Sequence, residues 1–112
     1  MDDFDQFLEE KGISLQSPGL RERALRREDA LNAISLLASR NVAVLGGDVY
    51  LFREGKIRLA YANWYVDRLV NESDNDYRER SWKHASEYIR SYPNAPDVAD
   101  IPIFVIVAKG SQ

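Results

Sequence analysis

The sequence predicts an α+β domain: a small, mainly antiparallel sheet of three to four strands packed against helices, in the order ααββαβ. Three observations carry this. The stretch Arg27–Arg40, REDALNAISLLASR, has apolar residues at helical spacing. The stretch DVYLFREGKIRLAYANWYV, from Asp48 to Val66, alternates as two strands around a tight turn. The stretch IPIFVIVAKG near the end is β-branched and apolar almost throughout, as an interior strand is. One helical layer over one sheet is the simplest way to bury these faces.

The chain has 112 residues, the size of a single domain spanning 1–112. A chain of this length buries roughly two-thirds of its extended surface without a metal or a disulfide. The elements follow in order. FDQFLEEKG places Phe4, Phe7 and Leu8 on one side of a short helix, with Asp2 or Asp3 as its cap and Gly12 as its C′ residue. Ser17-Pro18-Gly19 reads as a turn or a helix start. In the main helix Ala30, Ile34, Leu37 and Ala38 form the apolar face. Glu28 and Asp29 suit its positive end, and Asn41 suits a left-handed closing position.

Gly46 and Gly47 interrupt the strand pattern after VAVL, which predicts a bulge, a sharp turn or a close backbone approach, with Asp48 as a turn acceptor. Val49 and Leu51 face one way; Tyr50 and Phe52 face the other. Gly55 in Arg53-Glu54-Gly55-Lys56 supplies the positive φ of a hairpin. On the returning strand Ile57, Leu59, Tyr61 and Tyr65 share one parity, and Ala60, Ala62, Trp64 and Val66 the other. Ser73 followed by Asp76 has capping-box spacing, predicting a helix from about Asp76 to Tyr92, ended by Pro93. Trp82, Ala85, Ile89 and Tyr92 make one stripe of it.

Several chemistries find no residues to carry them. The chain has no cysteine, so disulfides, thiolate catalysis and Cys-based metal sites are excluded. His84 is the single histidine, too few for a His-rich metal site, and neither Ser81 nor Ser86 sits in a nucleophile elbow. Gly46-Gly47 lacks the Lys-Ser/Thr of a phosphate loop and the spacing of a dinucleotide fingerprint. Asn71–Asp76 resembles a calcium loop only in composition; the central Gly and the distal Glu are missing. No catalytic residue, cofactor or metal is therefore expected. The acidic N-terminus is unlike a secretory signal, and no apolar run approaches the roughly 18 residues of a membrane helix, so a cytoplasmic protein is expected. Eighteen acids against fifteen bases give a net charge of −3, which argues against direct nucleic-acid binding.

What remains is surface. Asp67, Glu72, Asp74, Asp76 and Glu79 form an acidic zone. Tyr65 and Arg68 stand at its edge, and Tyr and Trp are favoured interface anchors. These seven residues are the candidate partner-binding set. Two other readings stay open: a homodimeric regulatory or structural module, and a small hydrolase with a site near Asp48 and His84, joined by Tyr50 and Asn63.

Leu45-Gly46-Gly47-Asp48-Val49-Tyr50, then Asn63-Trp64-Tyr65, then Tyr88-Ile89 with Tyr92-Pro93, together with Asp29-Ala30-Leu31 and Ala33-Ile34, resemble the immunity protein 40 family over about residues 20–108. Gly46, Gly47, Asp48, Tyr50, Asn63, Trp64 and Trp82 are the structural residues of these motifs and the helix after them. The resemblance implies a small α+β protein that protects a bacterium from a polymorphic toxin. It implies a stoichiometric inhibitor of a cognate toxin domain, a nuclease toxin among the candidates, and no catalytic residue. Ala62 departs from the pattern, in which an acid precedes Asn63; if that acid touches the partner, either a different toxin is bound or this member is diverged.

Overall fold

A computed structural model describes residues 3–15 and 23–110. The elements are α1 (Asp3–Lys11), β1 (Ile13–Ser14), β2 (Arg23–Arg26), α2 (Arg27–Ser39), β3 (Val44–Arg53), β4 (Lys56–Tyr65), α3 (Asp74–Ser91) and β5 (Ile101–Ala108). The order is αββαββαβ, and the sheet has five strands in the order β1-β2-β5-β3-β4. Every pairing is antiparallel.

This corrects the expected ααββαβ order and the expected three to four strands. β1 and β2 were hidden for local reasons. β1 is two residues long, too short to show an alternation. β2, Arg-Ala-Leu-Arg, runs into α2 at Arg27 with no breaker between them, and its Arg26 N-cap makes no side-chain cap bond. The four residues read as more helix; only pairing extends them, Arg23 and Ala24 with β1 and Leu25 and Arg26 with β5. The Ser17-Pro18-Gly19 turn, and the Asp2 cap, lie outside the described residues.

The other elements follow their sequence signals. Ser73 Oγ accepts from the Asp76 N–H at 3.1 Å, so the cap sets α3 to begin at Asp74. Asn41 closes α2 at φ 62°, and Glu54-Gly55 turn the β3–β4 hairpin at φ 48° and 79°. Gly12 ends α1, its N–H reaching the Leu8 carbonyl at 2.8 Å. A side chain is excluded there by contact: a Cβ would lie 2.6 Å from the Arg23 Cβ.

All three helices cover one face of the sheet. Ala30, Ala33, Ile34 and Leu37 of α2 and Tyr77, Ala85 and Ile89 of α3 join Leu25, Val49, Trp64, Phe104 and Ile106 in one core, with Phe4 of α1. β5 lies at the centre, between β2 and β3, as its unbroken apolar run requires. The opposite face holds a smaller cluster: Ala24, Ile103 and Val105 are buried, packed by Ile13, Leu15, Tyr50, Phe52 and Ile57.

Gly46 and Gly47 lie inside β3, with a register shift against β5 between Val44 and Gly46. The extra residue, Leu45, moves the following side chains to the other face. Val44 pairs with Ala108, whereas Gly46 pairs with Val107. A Cβ at Gly47 would stand 2.3 Å from Trp64 Cη2 and 2.2 Å from the Val105 carbonyl oxygen; one at Gly46 would stand 2.2 Å from the Trp64 carbonyl oxygen. The glycines let the Trp64 ring lie against backbone. Asp48 is then a mid-strand residue paired with Asn63, not a turn acceptor.

Three side chains fasten α3 to the sheet. Ser81, fully buried, accepts from the Val44 N–H at 3.0 Å and donates to the Arg78 carbonyl at 2.7 Å. Tyr77 donates its hydroxyl proton to the Val66 carbonyl at 2.6 Å. Trp82 Nε1 donates to the Val42 carbonyl at 2.7 Å. The far end of α3 is held by Arg27, which donates to the Ile89 carbonyl and, at 3.1 Å, to Asn94 Oδ1. A cation there also suits the negative end of the helix dipole.

Two stability measurements test these contacts. Gly47→Ala overpacks the strand beneath Trp64 and lowers the unfolding free energy by about 1–3 kcal/mol in urea titration. Ser81→Ala leaves the buried Val44 N–H without an acceptor and costs about 1–3 kcal/mol, with the denaturant slope unchanged.

Candidate partner-binding site

The candidate set Tyr65, Asp67, Arg68, Glu72, Asp74, Asp76 and Glu79 falls on the end of β4, the loop after it and the first turns of α3. The backbone of this region is held at several points. The Val66 N–H reaches the Leu45 carbonyl at 2.9 Å, and the Glu72 N–H reaches the Leu69 carbonyl at 3.1 Å. Asn71 takes a left-handed conformation at φ 63°. The segment is an anchored loop rather than a free linker.

Its charges divide into two groups. Glu72 is turned inward, its side chain 7% exposed, and forms a two-pronged pair with Arg80: Nε to Oε2 and Nη2 to Oε1, both 2.8 Å. It also accepts from the Leu69 N–H at 3.0 Å. Arg80 reaches on to the Asp67 carbonyl at 2.5 Å. Asp74 pairs with Arg68 at 2.7 Å, and the Arg68 guanidinium lies 4.8 Å from the centre of the Tyr77 ring. Glu72 and Asp74 therefore build the loop. Asp67, Asp76 and Glu79 are exposed and form no ion pair among the described residues. The charge run by itself does not reveal this division, because Arg68 precedes Asp74 by six residues and Arg80 follows Glu72 by eight, and only the folded loop brings each pair together.

Tyr65 is 70% exposed, as an anchor residue must be. Three further residues were not in the set. Tyr61 is 91% exposed, Leu69 58% and Val70 91%. The signal for the last two was present in RLVNESDN, an apolar pair inside a polar loop. The signal for Tyr61 was not. β4 carries two extra residues between Leu59 and Ala62, because Val49 pairs with Ala62 and Tyr50 with Leu59. Tyr61 sits in that bulge at φ 57°. A two-residue insertion preserves alternation, so Ala60, Ala62 and Trp64 all still pack toward the helices.

The remaining motif residues are architectural or dispersed. Trp64 stacks on Tyr88 with ring centres 4.7 Å apart, and Tyr88, Tyr92 and Phe104 continue the aromatic row. Tyr50 packs on the sheet face away from the helices, and Asp48 and Asn63 fall on that side by strand alternation. His84 is exposed on α3, across the sheet from them. The four residues of the hydrolase reading do not converge. Among the described residues no group of His, Cys, Asp and Glu is arranged to hold a metal ion, and no helix is long and apolar enough to cross a membrane.

The Glu72 carboxyl is held at about 2, below an ordinary 4.5, chiefly by its hydrogen bond from Arg80 and next by the Leu69 N–H. A carboxyl lowered in the folded state contributes stability that is complete above 4.5 and lost as pH falls toward 2. Asp97, lowered by the Ala99 N–H and by Arg53, adds to the same acid-side loss. Stability measured by urea unfolding should fall across this window, and Glu72→Gln should flatten the slope while leaving part of it.

A family model described as Immunity protein 40 matches residues 14–108. No curated protein and no solved structure matches the chain. The match runs from Ser14, the second residue of β1, to the end of β5, so it takes in β2 to β5, α2, α3 and the anchored loop. It places the chain among immunity proteins and not among enzymes. With most of its length matched, the chain belongs to the Immunity protein 40 family.

Proposed function

We propose that this protein neutralises a cognate bacterial toxin domain in the cytoplasm by forming a one-to-one complex with it, and that the loop after β4 is the centre of the contact. One observation carries the reading. Within residues 61–70 four large apolar side chains, Tyr61, Tyr65, Leu69 and Val70, are exposed on a backbone fixed by hydrogen bonds. Exposed apolar groups on a rigid frame lose little freedom on binding, which favours tight association.

The charges around the loop support a division of labour. Tyr65 and Tyr61 supply area and hydroxyl groups as anchors. Asp67, Asp76 and Glu79, at the rim and in no ion pair among the described residues, attract a basic surface and speed encounter. Nuclease toxins, whose clefts must be basic to hold phosphates, fit that rim. Glu72, Asp74 and Arg68 take part as the scaffold that holds the loop in shape.

The homodimer reading draws on β4, an edge strand of ten residues. Its bulge at Ala60–Tyr61 interrupts the straight ladder that edge-to-edge pairing needs. The toxin-binding reading has the better support.

The test is co-expression with the toxin domain, followed by purification and calorimetry. Wild type should rescue growth and bind at a ratio of one. Tyr65→Ala should weaken binding by roughly tenfold or more, mainly through faster dissociation. Asp76→Lys should chiefly slow association and reduce its salt dependence. Absence of any complex with the toxin domain would overturn the reading.

A further inference from the structure

A surface pocket of about 210 Å³ lies beside the proposed contact loop. It is formed where the α2–β3 turn, the β4–α3 loop, the first turns of α3 and the residue after β5 meet; Asn41, Arg68, Asp74, Tyr77, Arg78 and Lys109 contribute to its wall. The pocket is cationic on a chain whose net charge is −3. Of its three cations, Arg68 is paired with the pocket's one acid, Asp74. Arg78 and Lys109 form no ion pair among the described residues. Arg78 Nε is buried and has no hydrogen-bond partner among the described residues.

An orphaned guanidinium N–H is costly unless something accepts from it. The backbone that carries these two cations is fixed at both. The Arg78 carbonyl accepts from the buried Ser81, and Lys109 is placed by its backbone bond to the Ala43 carbonyl at 2.9 Å. One water needs only about 10–15 Å³ of such space, so the pocket admits a larger acceptor. A planar carboxylate matches the fork of an arginine with two parallel bonds, and the neighbouring ammonium adds a third.

We propose that this pocket receives a carboxylate side chain of the toxin, gripped by Arg78 and Lys109. This rests on the toxin-binding reading above and adds a feature of opposite sign to it. The acidic rim attracts a basic surface, while the pocket demands one acid set within that surface. Such a reversed pair rejects partners that are merely basic, so it acts on specificity more than on attraction.

The experiment has two arms. In the first, the free protein is titrated with acetate, and separately with inorganic phosphate, at constant ionic strength set with chloride, while the arginine Nε–H resonances are followed by NMR. The expected result is a saturable shift of the Arg78 Nε–H with acetate, with a midpoint on the order of 10 mM, abolished in Arg78→Gln and weakened in Lys109→Gln. A linear response no larger than that to chloride would overturn the proposal, as would a response to phosphate alone. In the second arm Arg78→Gln and Lys109→Gln, each checked for wild-type circular dichroism, are measured against the toxin domain. A loss of roughly tenfold to hundredfold is expected. Unchanged affinity in both variants, with wild type binding tightly, would sink the pocket and leave the toxin-binding reading intact. Failure of wild type to bind the toxin would sink that reading instead.

Discussion

The close approach of the Trp64 ring to the Gly47 backbone is the contact on which the rest of the molecule depends. β4 is an edge strand, paired on one side only. Trp64 gives it a second attachment, through the sheet's helical face. The ring lies over Gly47, stacks on Tyr88 of α3, and begins an aromatic row that ends at Phe104 on the central strand. A tryptophan buries a large apolar area, and a glycine beneath it removes the one atom that would hold the ring away. The edge strand, α3 and the central strand are locked by the same set of contacts.

That lock determines what the far end of β4 can do. Beyond Tyr65 the chain crosses to α3 in eight residues, and both ends of the crossing are fixed. Tyr77 holds the Val66 carbonyl, and Ser81 and Trp82 hold the start of β3 next to it. Arg80 and Glu72 brace the middle. With its backbone so constrained, the loop can leave Leu69 and Val70 in water without collapsing over them. A surface that presents apolar side chains while staying rigid suits recognition of one partner.

Electrostatics in this region is a matter of what the fold leaves unpaired. The acidic run of the sequence is divided, with Glu72 and Asp74 turned to structural use and Asp67, Asp76 and Glu79 left outside. Cations are divided in the same way: Arg68 and Arg80 are tied to carboxylates, and among the described residues Arg78 and Lys109 are not. The free charges of opposite sign occupy different places, acids on the rim and bases in the pocket. A net charge of −3 conceals this arrangement.

The sequence by itself determined the elements whose signals are local. The Ser73 cap, the left-handed Asn41, the Glu54-Gly55 turn, the alternation of β3 and β4 and the apolar run of β5 depend on neighbours along the chain, and each was legible. Its motifs also carried the family. Tertiary structure alone decided what depends on partners far apart in sequence. β2, four residues that otherwise read as helix, is a strand only because β5 pairs with Leu25 and Arg26 and β1 with Arg23 and Ala24, and those two pairings raise the sheet to five strands. The role of Gly47 required Trp64, seventeen positions on, to come to rest above it. The exposure of Tyr61 required a two-residue bulge, whose existence lies in the register between strands and in no property of Tyr61 itself. The split of the acidic zone required Arg80 and Arg68 to be brought back to Glu72 and Asp74. Pairing across a sheet and between a loop and a helix is set by the packed core as a whole, so no window of sequence contains it.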